Sequence, residues 1–323
     1  MTYQDLMQLA NGYAESKVLL TANDLGLFTA LGQSKQSSKR LAQQCRTHPE
    51  GMDLLLKALV GLGLLQVRNG QYWNAANART FLDENSPKAI TNLLWLLGHH
   101  WSNWTNMTRV IKKGRPGWGP VTKTKKFRRR FALAMHERSL YLAPLTIRHC
   151  QMPHGATKFF DLAGGSGSYS IALAERHTKL SGVILDQSIS VARRLIKQQG
   201  LEGRLSVQQG DVFSAALPED SDAALVSNIF HDFNARENRR LLRRIRKALR
   251  PGGKVFIVEF FLDESETKPV DAAVFSLLMY AFTETGRSYS WKEVEGWLKA
   301  EGFSQCRRHI VSGSIGTLEA VRQ

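Results

Sequence analysis

Phe159-Phe-Asp-Leu-Ala-Gly-Gly-Ser-Gly-Ser-Tyr-Ser-Ile-Ala-Leu-Ala-Glu-Arg-His177 packs three kinds of local structure into one short run. Apolar residues lead into Asp161, small residues fill Ala163 to Gly167, and a helical pattern begins near Ser168. A buried strand, a tight turn and a helix N-terminus follow from that order. The glycines admit backbone dihedrals closed to other residues and let a ligand lie against the chain. In open α/β sheets such a turn sits at the carboxyl end of a strand, where ligands bind. The dinucleotide spacing G-x-G-x-x-G is absent, because Ser170 stands where a third glycine would follow Gly165 and Gly167. No Gly-Lys-Ser/Thr grips a phosphate either, so the ligand is something other than a nucleotide phosphate.

Downstream, strand and helix patterns alternate. Val183 to Asp186 reads as a second strand, Leu205 to Val207 with Gly210 to Phe213 as a third, Ala223 to Phe230 as a fourth and Lys254 to Phe261 as a fifth. Arg308 to Val311 and Thr317 to Val321 close the series around Ser312-Gly313-Ser314. That alternation predicts an α/β, Rossmann-like, mostly parallel sheet with helices on both faces. Asp186 ends the second strand 22 residues after Gly164, where a carboxylate can accept both hydroxyls of a ribose. Asp211 ends the third, beside the same crevice, within reach of a purine amine. Either alone reads as a surface turn residue; a glycine turn and two Asp on consecutive strand ends read together as a nucleoside pocket.

Upstream, Pro153-His-Gly155 is a natural hinge, and residues 88 to 150 are mostly helical around a loop at Gly114 to Pro120. Trp95, Trp101 and Trp104 cluster there with His99 and His100, as core or subunit-interface aromatics. Residues 3 to 31 read as one helix ending at Gly32, Ser37 and Ser38 cap a second, and a third runs from Pro49 to Gly63. Asn69-Gly70 between two short strand-like runs marks a hairpin. Three helices and a hairpin make a winged helix. Its would-be recognition helix carries Glu50, Asp53 and Lys57, a poor groove reader, so packing or dimerisation is the preferred role. The chain thus divides at 1–85, 86–155 and 156–323.

The 323 residues suffice for more than one domain, and three distant cysteines, Cys45, Cys150 and Cys306, with no C-x-x-C, predict reduced thiols in a cytoplasmic setting. No apolar run is long enough to span a bilayer, and no secretory signal is visible. The net charge of +16 is uneven, with no acidic residue from Asn85 to His136 and a second basic cluster at Arg236 to Arg250. Such a field attracts nucleic acid, acidic substrates or anionic lipid, and a weak peripheral contact with an anionic membrane surface fits it. A protein that modifies nucleic-acid bases would show a flipped-base signature such as Asn-Pro-Pro-Tyr or catalytic cysteines; neither is present, and no nucleic-acid partner is expected.

Asp-Leu-Ala-Gly-Gly-Ser-Gly167, Ile-Leu-Asp186, Gly-Asp-Val-Phe213, Ser-Asn-Ile-Phe-His231-Asp-Phe and Leu-Arg-Pro251-Gly-Gly-Lys-Val-Phe-Ile-Val-Glu259 resemble, in that order, the S-adenosylmethionine-dependent O-methyltransferases. The likeness is closest to those with an N-terminal winged-helix dimerisation domain and covers nearly the whole chain. It implies seven strands with the last pair reversed, a homodimer, and S-adenosyl-L-methionine over the glycine turn. It implies cofactor contacts from Asp161, Ala163, Gly164, Gly165, Gly167, Asp186, Asp211, Val212, Phe213 and Ser227. It makes His231 the general base and Glu259 the group that orients it, with no metal. The small-molecule acceptor would be lipophilic or aromatic, lined by Phe131, Met135, Asp232, Phe275 and Met279.

The chemistry suits those residue types. A phenol's pKa is about 10 and an imidazole's about 6.5, so a positioned His can take the proton as the methyl moves. Two departures from the family pattern stand out. Ala163 replaces the first glycine of the turn, which suits ordinary dihedrals there, and Ser288 replaces a second catalytic-site Glu. The second change leaves N- or C-methylation open beside O-methylation.

Overall fold

The structure is a computed structural model that describes residues 1–115 and 124–323. It contains two compact units, Met1–Trp101 and Ser102–Gln323. The loop expected at Gly114 to Pro120 lies, after Arg115, outside the described residues.

In the first unit, Thr2 and Asp5 form a capping box that starts α1 (Tyr3–Asp24). The single helix expected over 3 to 31 is two. Gly26 takes a left-handed φ of 64° and turns the chain before α2 (Leu27–Leu31). A two-residue strand β1 (Gln36–Ser37) precedes α3 (Ser38–Gln44), whose N-terminus the Ser37 hydroxyl caps. Pro49 opens α4 (Pro49–Gly61), where its missing N–H costs nothing. Strands β2 (Leu65–Arg68) and β3 (Gln71–Asn74) form the hairpin, with positive φ at both Asn69 and Gly70. The order β1-β3-β2 gives three strands where two were expected; β1 is too short to show any alternation. Helices α5 (Ala76–Phe81) and α6 (Thr91–Thr105) follow. Phe28, Leu41, Leu56 and Leu59 are fully buried in this core, at roughly 1.5–3 kcal/mol of transfer free energy each.

In the second unit, α7 (Met107–Lys113) and α8 (Lys125–Ile147) precede the sheet. The chain then runs β4 (Lys158–Leu162), α9 (Ser168–Arg176), β5 (Ser181–Asp186), α10 (Ser190–Gln198), β6 (Leu205–Gln209) and β7 (Ser221–Ser227). After a 3-10 turn at Phe230–Asp232 come α11 (Ala235–Ala248), β8 (Leu249–Phe260), α12 (Val270–Phe282), α13 (Trp291–Ala300), β9 (Phe303–Ser312) and β10 (Ile315–Arg322). The order is β6-β5-β4-β7-β8-β10-β9, parallel except that β10 runs against both neighbours. This is the seven-stranded sheet with a reversed closing pair.

Period-2 alternation builds both faces at once. Phe159 packs with Tyr169, Leu173, Val191 and Leu195 from α9 and α10, while Phe160 packs on the opposite face with Leu241, Leu242 and Ile245 from α11. Two expected strand limits move. Gly210 to Phe213 form the turn after β6, and Phe230 leaves β7 to start the 3-10 turn. Strands β6, β5 and β4 are adjacent, so their carboxyl ends meet in one crevice.

Candidate functional site

The turn after β4 departs from expectation at Ala163, whose φ is +58° rather than ordinary. An alanine held there costs about 1 kcal/mol of steric strain. Gly164 and Gly167 are needed for space: a Cβ on Gly164 would lie 2.5 Å from Asp161 Oδ2, and one on Gly167, at φ +73°, 2.8 Å from Ile184 Cδ1. A Cβ on Gly165, at φ +55°, would meet only Asp186 Oδ2, at 4.0 Å. Beneath the turn, fully buried Asp161 accepts a hydrogen bond from Ser170 Oγ at 2.6 Å, while its Oδ1 has no partner. Burial pushes this carboxyl up to about 7, against the Ser170 bond and with help from the Asp186 charge.

Asp186 ends β5 facing the same turn. Its Oδ2 accepts Gly165 N–H at 2.9 Å and its Oδ1 accepts Ser188 N–H at 2.8 Å. Burial raises its pKa, and those backbone donors oppose the rise. Asp211 is committed more locally than expected. Its carboxylate accepts Phe213 N–H at 2.8 Å and the Gln187 amide at 3.3 Å. Val212 is buried, and Phe213 meets Phe233 edge-on at 4.9 Å.

The arginines of α11 brace this side. Arg244 donates to the carbonyls of Val212 and Ala215, and Arg240 donates to Phe213 O while lying 5.0 Å over the Phe213 ring. Arg239 and Arg243 both pair with Glu301, and Arg250 with Asp222. Much of the second basic cluster is therefore engaged within the fold.

His231 sits on the 3-10 turn beyond β7, and Glu259 near the end of neighbouring β8. His231 Nδ1 is 2.7 Å from Glu259 Oε2, and Glu259 Oε1 accepts Phe230 N–H at 2.8 Å. One carboxylate thus fixes both the ring and the backbone that carries it. With Nδ1 donating to the carboxylate, Nε2 is left as the acceptor. Its nearest acidic neighbour is Asp232 Oδ1, at 3.8 Å. Burial alone would push the imidazole down, but the Glu259 charge and hydrogen bond, with a smaller Asp232 contribution, carry it above its usual value. Burial likewise pushes Asp232 up to about 6, against the attraction of His231.

Around this pair the predicted lining residues divide. Phe275 meets the His231 ring edge-on at 4.9 Å and stacks on Phe260 at 4.2 Å. Met279 is buried one turn further along α12. Phe131 stacks on Phe127 at 6.1 Å, and Met135 lies one turn further along α8. Ser227 is buried at the end of β7. Ser288 is buried with its N–H on Ser276 Oγ at 3.1 Å and its own hydroxyl without a partner. No carboxylate stands at that position.

Four residues that the sequence did not single out also build the site. Asn238 donates to the carbonyls of Phe230 and Phe233 and pins the turn, while Tyr289 OH donates to Phe233 O at 2.6 Å. Gly286 lies so close that a Cβ there would be 1.9 Å from His231 O. Arg138 lies over Phe260, 5.5 Å from its centroid. Of these, Gly286 and Tyr289 had a signal, standing close to Ser288, where the family pattern has a Glu.

Comparison with known proteins places these features. Residues 106–304 match the O-methyltransferase domain, and residues 7–84 match the O-methyltransferase dimerisation domain. A 3-hydroxy-5-methyl-1-naphthoate 3-O-methyltransferase of Streptomyces sahachiroi is 30% identical over 98% of this chain and 94% of its own length. An acetylserotonin O-methyltransferase of Gallus gallus is 30% identical over 94% of this chain and 92% of its own. Human N-acetylserotonin methyltransferase, solved in complex with SAM, superposes with a TM-score of 0.90 at 23% identity, covering 99% and 97% of the two chains, and so shares the fold.

Proposed function

This chain belongs to the O-methyltransferase family whose members join a catalytic domain to a dimerisation domain, and we propose that it methylates a hydroxyl on an aromatic or otherwise lipophilic small molecule, with S-adenosyl-L-methionine as donor, His231 as general base and Glu259 as its positioning residue. The observation that carries the reading is the 2.7 Å contact of His231 Nδ1 with a Glu259 carboxylate that also holds the Phe230 N–H.

The residues at the crevice fit the donor. Asp161 Oδ1 is a buried carboxylate oxygen in want of a hydrogen-bond donor, which an amino-acid ammonium is, and a Cβ on Gly165 would meet only Asp186 Oδ2. Asp186 would take the ribose, Val212 and Phe213 the adenine, and Asp161 with the turn the amino-acid end. Ala163, Gly164, Gly165, Gly167, Asp211 and Ser227 would complete that shell. When bound, S-adenosylmethionine supplies an electrophilic methyl on a sulfonium.

The rest of the work falls to the chain. Nε2 accepts the proton as the acceptor O–H bond breaks, leaving an imidazolium whose Nδ1–H still bonds Glu259. A carboxylate on Nδ1 makes the ring a stronger base and allows one tautomer. The stacked rings of Phe275 and Phe260 give an aromatic acceptor an apolar border beside His231, which Met279, Phe131, Met135 and Asp232 would complete.

A homodimer fits the same reading. Tyr3, Leu6, Leu9 and Tyr13 are 51–76% exposed along the start of α1, inside or beside a segment that matches a dimerisation domain. No described helix is long and apolar enough to cross a membrane. The three unpaired cysteines fit a cytoplasmic setting, and the basic charge fits peripheral contact with an anionic membrane.

The test incubates the protein with methyl-labelled S-adenosylmethionine and a small-molecule extract of its host. His231→Ala is expected to lose at least about a hundredfold of the labelled product while still binding S-adenosylhomocysteine. Equal labelling by both proteins removes His231 from the mechanism.

A further inference from the structure

Arg138 is a cation near His231, among the described residues, that the proposed reaction leaves without a task. It follows Phe131 and Met135 on α8 at steps of four and three, and so shares their helix face. Its Cζ lies over Phe260, and Phe260 and Phe275 stack on each other and both meet the His231 ring edge-on, so guanidinium and imidazole flank one aromatic pair. Arg138 is half-buried, and among the described residues it forms no ion pair or hydrogen bond. Burial pulls its pKa down, with Tyr169 and Glu259 opposing, yet a guanidinium stays charged at any working pH. The neighbouring Glu259 carboxylate is taken by His231 Nδ1 and Phe230 N–H.

A half-buried guanidinium without an anion is free to take one, and its planar fork fits a carboxylate in two parallel hydrogen bonds. We infer that Arg138 is a specificity residue for an acceptor bearing a carboxylate as well as the hydroxyl to be methylated. The ring lies along Phe260 and Phe275, the hydroxyl reaches His231 Nε2, and the carboxylate meets the Arg138 fork. Asp232, the other carboxylate facing His231, has its pKa raised to about 6 and lies 3.8 Å from His231 Nε2. This inference rests on His231 marking the acceptor site. A second source of a carboxylate exists, the amino-acid end of the donor, and the experiment separates the two.

The full chain, saturated with S-adenosylhomocysteine near neutral pH, is titrated with 3-hydroxy-2-naphthoate and with 2-naphthol, which share the ring and hydroxyl and differ by the carboxylate. The naphthoate is expected to bind at least about tenfold more tightly. Arg138→Met should erase that preference and leave the affinity for S-adenosylhomocysteine within about twofold, while Arg138→Lys keeps part of it. Equal binding of the two probes by the unaltered protein, or of neither, overturns the inference, and needs no variant to fold. So does an Arg138→Met protein that loses S-adenosylhomocysteine instead, which assigns the guanidinium to the donor. Failure of the unaltered protein to bind S-adenosylhomocysteine defeats the donor reading itself and this inference with it.

Discussion

Gly286→Ala adds one methyl group, and the structure says where it must go. The new Cβ would stand 1.9 Å from His231 O and 2.6 Å from the Asp232 carbonyl carbon, where ordinary contact begins at 3.4 Å. Both atoms are backbone, so no flexible side chain can swing away, and the turn or the loop must retreat by about 1.5 Å, the difference between contact and overlap. The contact that orients the base is 2.7 Å long and cannot survive such a shift. A misplacement of about 1 Å costs on the order of a hundredfold in rate, within the roughly 10²–10⁴ that a general base contributes. Overpacking should cost about 1–3 kcal/mol of stability as well. The assay is kcat on the acceptor found by labelling, with calorimetric binding of S-adenosylhomocysteine as a control for the crevice, which should stay within about twofold. The low-field NMR resonance of the His231 Nδ1 proton should vanish. Gly296→Ala, on α13 with nothing within 4 Å of its Cβ, is the matched control and should be neutral or stabilising by up to about 1 kcal/mol. An unchanged kcat with the resonance intact would refute the reasoning.

Glu259→Gln keeps an acceptor for Phe230 N–H but removes the anion beside His231; kcat should drop by about a hundredfold and the rising limb of the pH–rate profile should move to lower pH, because only neutral imidazole accepts a proton. Stability carries the opposite sign: a raised imidazole pKa stabilises the fold below the ordinary value near 6.5 and fades as pH climbs through the raised value, so thermal melts of the unaltered protein should lose more on that climb than those of Glu259→Gln. Asp161, pushed up to about 7, must ionise to meet an ammonium, so calorimetric affinity for the donor should weaken by up to about tenfold per pH unit below neutrality, and Asp161→Asn should flatten that slope. Ala163→Gly relieves a left-handed alanine and should raise stability by up to about 1 kcal/mol in thermal melts, glycine's added freedom in the unfolded chain offsetting part of the gain.

Much of the sheet was legible because its signals are local. Apolar runs ending in Asp161, Asp186 and the Ser227 to His231 stretch, separated by helical patterns, give strand sequence and hence neighbours. Dihedrals were not legible. Nothing in the letters around Ala163 says that its φ is positive, and nothing near Leu25 shows that Gly26 splits a helix, since helical spacing continues on both sides. Residues 210 to 213 look strand-like because Val212 and Phe213 are apolar, but they are apolar to cover the crevice, with Asp211 folding back on Phe213 N–H. The arginines of α11 illustrate a deeper limit. Helical periodicity puts them on the solvent side, which is right for their Cα atoms, while the long side chains reach back to carbonyls of Val212, Phe213 and Ala215. Arg138 looks like one more member of a basic run, because only tertiary packing sets it over Phe260.

Glu259 pairs with Gly316 of β10 on one side, and β8 runs beside β7 on the other, so the group that aims the imidazole is part of the stiffest layer of the molecule. Of the side chains that would greet an acceptor, Phe260 belongs to that layer, while Arg138, Phe275 and Met279 come from α8 and α12. In the proposed reaction, guest selection therefore leans on the same frame as proton removal. Exchanging Phe275 or Arg138 to retune which molecule is welcomed should also shift the imidazole, because Phe275 meets its ring and the Arg138 charge lowers its pKa.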